Sequence, residues 1–253
     1  MVGYAAGWTS QTPAAIALVD KRDVENRSGE RRRTVSAETM DVINLLAGIE
    51  PGSGLDGIRS RRLQARDHAQ KSYLALFEPA DFGDFAAADR YALAAFVAAI
   101  HREPAASSFY FLKLAEVEDR PHWLAALKAE IERAETEGPY GAFPAGPLSA
   151  EDKAGLIYQV ANENRRVVGG GLAAALEHAH LLIFHPRDAT SAAVQALCEA
   201  GWSSDAIVTL SQLVAFLSFQ IRTAAGLKIL GLSLGRQTSD TAAAGEGAER
   251  NHG

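Results

Sequence analysis

Residues 89–103, DRYALAAFVAAIHRE, constrain the fold more than any other stretch of this 253-residue sequence. Alanine and other apolar residues occupy most sides of their helical projection, which predicts a central helix approached closely by its neighbours. The same 3.6-residue period recurs on either side. Val42, Ile43, Leu45, Leu46 and Ile49 form one apolar face before Pro51 and Gly52 stop it, and Leu55, Ile58, Leu63, Tyr73, Leu76 and Phe77 carry the period across residues 55–78. Pro104 suits the first turn of a further helix, PAASSFYFLKLAEV. Pro121 opens another, with Trp123, Leu124, Leu127 and Ile131 on one face and Glu130, Glu132, Glu135 and Glu137 outside it. Residues 205–230 are apolar almost all round, as expected of a helix enclosed by other helices. No strand alternation competes with this pattern, so the expected fold class is all-α.

Proline and glycine divide the chain. The run GPYGAFPAGPLSAED, residues 138–152, cannot continue a helix and reads as the connection between two helical halves, about 38–137 and 149–232. The following GLIYQVANEN fits either an extended piece or a helix. Helices resume through LAAALEHAHLLIF. His185 and Pro186 then break the chain, Thr190 or Asp188 can cap the next helix, Gly201 suits its left-handed end, and Ser203 or Ser204 caps the last. Gly169, Gly170 and Gly171 lack the strand and the Gly-Lys-Ser/Thr of a phosphate loop and imply a bend or close packing instead. Residues 1–37, closing on a charged RSGERRR cluster, read as a flexible extension, and residues 233–253 as a disordered tail.

Charge and cysteine content exclude several functions. Lys and Arg total 25 against 31 Asp and Glu, and a net charge of −6 argues against a nucleic-acid surface. One cysteine, Cys198, permits neither a disulfide framework nor a dithiol cycle nor a Cys-rich zinc site, and fits a cytoplasmic setting. Its spacing with Val194, Leu197 and Ile207 predicts a buried, structural thiol. The N-terminus lacks the charge and apolar run of a signal peptide. Residues 206–235 carry Ser211, Gln212, Gln220, Arg222 and Lys228 and fall short of a membrane span. The polar members of this last helix, with Ser218, are expected to tie helices or subunits together. Arg59, Arg61, Arg62 and Arg66 read as a solvated helix face or, alternatively, a site for an anionic partner. Glu177, His178 and His180, with His185 following, suggest a metal site. Positions 178 and 180 nevertheless point to nearly opposite sides of a helix, so no metal is expected.

The segment HPRDATSAAVQALCEAGWSSDAIVTLSQLVAFLSFQIRTAAGL resembles the C-terminal half of the carboxymuconolactone decarboxylase and alkyl hydroperoxidase D superfamily, and ADRYALAAFVAAIHREPAASSFYFLKLA resembles its first core hairpin. DVINLLAGI and HAQKSYLALFEP are similar to an uncharacterised branch of that superfamily. The resemblance covers roughly residues 40–232 and implies an alkyl hydroperoxidase D-like fold, a homo-oligomer (dimer, trimer or hexamer), and Met40 as a possible native start.

Peroxidases of the superfamily carry Cys-x-x-Cys and a histidine where this chain has Glu103, Pro104, Ala105, Ala106, Ser107, Ser108, Phe109 and Tyr110. Serine cannot close a disulfide, so the dithiol activity does not transfer. The decarboxylase side implies cofactor-free acid/base chemistry on a small organic acid or ketone, with no cofactor and no metal. His101 and Tyr110 are the implied catalytic pair, against a reading of His101 as an exposed helix-end residue. Glu103, Ser107, His178, His180 and Arg222 are pocket candidates. A non-catalytic binding or assembly protein is the alternative, and residual alkylhydroperoxidase-like antioxidant activity through Cys198 another.

Overall fold

The structure, a computed structural model, describes the backbone of residues 41–249 and the side chains of residues 41–234. The expectations for residues 1–37 and for Met40 lie outside the described residues. Ten α-helices form, and no strand is present among the described residues: α1 (Val42–Ala47), α2 (Gly54–Ser60), α3 (Leu63–Phe77), α4 (Ala87–Ile100), α5 (Pro104–Val117), α6 (Pro121–Ala134), α7 (Asn162–Val168), α8 (Gly170–Phe184), α9 (Ser191–Glu199) and α10 (Ser204–Glu249). The protein is all-α.

Helix α4 is the hub, packed on α5, α6, α8 and α10. Every residue from 92 to 98 is fully buried, and four of these seven are alanines, whose small side chains let the neighbouring helices approach. Leu210, Leu213 and Leu217 of α10 fill the space on one side, and Leu172 and Leu176 of α8 fill it on another. Tyr110 of α5 donates from its hydroxyl to Gln220 Oε1 of α10, both fully buried, so one polar residue of the last helix does tie helices together.

Local chemistry sets the helix ends. Asp41 Oδ1 accepts the Asn44 backbone N–H at 3.0 Å to start α1, and Gly48 at φ 67° ends it in the left-handed region. The other oxygen of Asp41 receives Arg59 at 2.7 Å and Arg66 at 2.8 Å, while Asp56 receives Arg66 at 2.8 Å. Two of the four clustered arginines are thus internal ties between α1, α2 and α3. Ser203 Oγ accepts the Ala206 N–H and caps α10. At Gly169, φ 93°, α7 and α8 turn through 118°, so the triple glycine makes a bend.

Several expectations are corrected. The period over residues 55–78 breaks at Arg61 and Arg62 into α2 and α3, which leaves Leu63 exposed. Glu130, expected outside the apolar face of α6, is fully buried because a later segment brings donors to it. Cys198, expected in the core, is exposed: the short α9 packs by one face only, which takes Leu197 inward and turns Val194 and Cys198 outward. Helix α10 is not enclosed, since Val208, Phe219, Ile229 and Leu232 are at least half exposed. It also continues to Glu249, through residues expected to be disordered. No proline interrupts this alanine-rich sequence, and alanine is the best helix former. Ser204–Leu234 is, among the described residues, the one unbroken helix long and apolar enough to cross a membrane, by a test that buried core helices also pass.

Candidate functional site

The connection between the halves folds back on the end of α8. Tyr140 N–H donates to Phe184 O at 2.6 Å, and Gly141 and Lys153 exchange backbone bonds at 2.8 and 3.2 Å. Asp188 Oδ1 accepts Ala142 N–H at 3.2 Å, and Gly155 lies against the face of the Tyr140 ring. Beyond Gly155 the chain alternates, with Tyr158 and Val160 buried and Ile157 and Gln159 exposed. Among the described residues no strand pairs with it. Carboxylates serve instead: Glu130 accepts the Tyr158 hydroxyl at 2.8 Å, the Ala161 N–H at 3.1 Å and the Asn164 amide at 2.6 Å, and Glu177 accepts the Val160 N–H at 2.8 Å.

Between this segment, α8 and α9 lies a cavity of about 420 Å³. Ala174, Leu181, Ala193, Ala196, Leu197 and Ile157 give it apolar walls, and Tyr158, Gln159, Glu177, His178, His180, His185 and Asp188 supply polar groups. His178 and His180, on nearly opposite sides of α8, both border it because it wraps around the face centred on Glu177 and Leu181.

The polar groups differ in charge state. Glu177 Oε1 is held by Val160 N–H and by Arg165, whereas its second oxygen has no hydrogen-bond partner among the described residues. Burial raises the Glu177 carboxyl above the usual carboxylate range, against the lowering effect of those two donors. Burial lowers both His178 and His180, the latter to about 4, so both rings are neutral at pH 7. His180 donates from Nε2 to Ala134 O at 3.2 Å and packs its ring 4.9 Å from Tyr158 and 4.8 Å from Phe184. His185 meets acceptors on both sides, Asp188 Oδ2 at 2.9 Å and Leu156 O at 2.8 Å. Its hydrogen bond is the largest cause lowering the Asp188 carboxyl.

His180 links the site to stability. A histidine that titrates near 4 when folded and near 6.5 when unfolded stabilises the fold above pH 6.5 and loses that contribution as pH falls through this window. The expected loss is about 3 kcal/mol between pH 6.5 and 4. Urea unfolding at stepped pH should show this slope, and it should flatten in His180→Phe. An equally steep slope in the variant would reject the assignment.

The remaining sequence candidates lie elsewhere. His101 caps the end of α4, half-buried rather than exposed, with Nδ1 donating to Val97 O at 2.8 Å, Nε2 buried without a partner, and its basicity lowered chiefly by burial. Glu103 pairs with Lys228 of α10, Ser107 is half-buried on α5, and Arg222 is exposed on α10. Tyr110 is sealed in the core, where burial pushes its hydroxyl well above the usual tyrosine range. None of these five borders the cavity, whereas His178 and His180 do. Sequence reasoning left out Tyr158, Asp188 and the functional side of Glu177; the one signal available was Asp188 standing three residues after His185. Among the described residues no three His, Cys, Asp or Glu side chains converge as metal ligands. The chain matches no family model, no curated protein and no solved structure.

Proposed function

We propose that the protein carries out cofactor-free acid/base chemistry, a decarboxylation or isomerisation, on a small organic acid or ketone bound in the cavity between α8, α9 and residues 157–159. The observation that carries this is Glu177: one oxygen is tethered by Arg165 and Val160 N–H, the other has no partner, and burial moves its proton affinity toward neutral pH. A carboxyl held in this way can take and return a proton. His101 and Tyr110, the pair implied by the family resemblance, would then act in packing rather than in the reaction.

Purified protein incubated in D2O with a panel of small acids and ketones should move deuterium into at least one of them. Glu177→Gln should slow that exchange about 10²–10⁴-fold. Equal exchange by the wild type and Glu177→Gln would sink the reading.

A second reading rests on the exposed Cys198, which is accessible to a peroxide. It requires dithiol-dependent peroxide reduction that is lost in Cys198→Ser. The alkyl hydroperoxidase D-like arrangement of two related halves, with the α4–α5 hairpin in the first and α8, α9 and α10 in the second, belongs to the same proposal, as does a cytoplasmic setting. So does self-association: exposed Val208, Gln212, Ala215, Phe219, Arg222, Gly226 and Ile229 follow the alternating four- and three-residue spacing of a helix-pairing seam. Light scattering giving a monomer mass would remove that part alone.

A further inference from the structure

Among the described residues the cavity wall holds two carboxyl groups, Glu177 and Asp188, and no lysine or arginine. The cations nearby are already engaged. Arg165 pairs with Glu177, Lys153 sits over the Tyr140 ring at 5.2 Å, and Arg187 lies over Phe143 at 3.9 Å. His185 faces Asp188 and a backbone carbonyl. A carboxylate entering here would lose its hydration and find, among the described residues, no cation that is not already paired.

His178 supplies the complementary feature. The residue is more than nine-tenths buried, and its Nδ1 is sealed from solvent with no hydrogen-bond partner among the described residues. A proton on Nδ1 would be an orphaned buried donor, which costs more than leaving a lone pair there. The single proton of the neutral ring therefore sits on Nε2, which is not among the sealed atoms, in a ring that borders the cavity. This puts a neutral N–H donor in the wall of the same cavity as the Glu177 carboxylate, from the next residue of α8.

Resting on the acid/base reading above, we propose that the cavity takes an uncharged carbonyl compound, and that His178 holds its oxygen while Glu177 moves a proton between its carbons. Glu177 takes the proton from the carbon beside the carbonyl. The C–H electron pair becomes the new carbon–carbon double bond, and the carbonyl π pair moves onto the oxygen held by the His178 N–H. Returning the proton from Glu177 to the far carbon of a neighbouring double bond re-forms the carbonyl and shifts that double bond into conjugation. Nothing is consumed, and no oxidant or cofactor enters. A neutral imidazole suits the task because it stabilises the developing oxyanion without protonating it.

The test uses the full chain with two probes of one ring size, a β,γ-unsaturated cyclic ketone and the corresponding cycloalkene carboxylate. Conjugation of the ketone is followed by ultraviolet absorbance, its deuterium exchange by NMR, and binding of both by calorimetry. The ketone should bind at least about tenfold more tightly than the carboxylate and be isomerised. His178→Leu should lower kcat about 10²–10³-fold, and His178→Gln, which keeps an N–H donor, should recover part of it. Circular dichroism checks that both variants fold. Tighter binding of the carboxylate, with exchange still dependent on Glu177, overturns the substrate class and leaves the acid/base reading standing. Equal turnover by His178→Leu overturns the role of His178. Exchange into neither probe overturns both.

Discussion

Glu130→Ala is expected to lower the stability of the fold by about 3–5 kcal/mol, the largest single-site effect the structure implies. The carboxylate is fully buried and accepts from the Tyr158 hydroxyl, the Ala161 N–H and the Asn164 amide, with Arg133 3.5 Å away. Alanine leaves three donors without an acceptor and opens a cavity the size of the lost side chain. For a chain of this length that corresponds to a fall in Tm of about 6–20 °C. Glu130→Gln keeps the shape and one acceptor oxygen and should cost about half as much. Thermal unfolding followed by circular dichroism decides it, and a change within about 0.5 kcal/mol would show that the segment is held by other means.

Gly155→Ala tests the other side of the same segment. A Cβ at this position would lie 2.2 Å from Cγ of Tyr140, well inside contact distance. The ring cannot swing aside easily. Its hydroxyl bonds to Thr136 Oγ1 at 2.9 Å, and its faces meet Lys153 at 5.2 Å and His185 at 5.1 Å. The backbone must lift instead, at a cost of about 1–3 kcal/mol, and it carries Ile157, Tyr158 and Gln159 out of the cavity wall. Ligand binding should weaken at least tenfold, and the paired amides of Gly141 and Lys153 should lose protection from hydrogen exchange. In the double variant Tyr140→Ala, Gly155→Ala the clash is absent, so the second substitution should add almost nothing to the first. Additive costs would mean that the ring contact is not the cause.

The helices were largely legible because their signals are local. Pro104 and Pro121 at first turns, Gly201 at a left-handed end and Ser203 at a cap all act within a few residues of themselves. The cavity was not legible, because its decisive contacts span long stretches of chain. Glu130 has the same helical spacing as glutamates that face solvent, and only the described donors of Tyr158, Ala161 and Asn164, 28 to 34 residues later, make it internal. Cys198 followed an apolar pattern that α9 uses on one face only. The EHAH run lies on the turn of α8 that borders the cavity. What it could not reveal is that a single cavity wraps around that helix far enough to reach both histidines.

Residues 157–161 carry a consequence for how such a site can change over time. Backbone pairing within a sheet ties each strand to its neighbours, so altering one disturbs the next. Here the backbone of the wall hangs from two glutamate side chains on α6 and α8, and Tyr158 and Val160 anchor it in the core while the side chains between them face outward. Substitutions at Ile157 and Gln159, whose side chains are exposed, can therefore reshape what the cavity admits and leave the helical core as it is. The wall behaves as an exchangeable panel, and libraries that vary those two positions while keeping Glu130, Tyr158 and Glu177 should yield folded proteins with shifted ligand preference at high frequency.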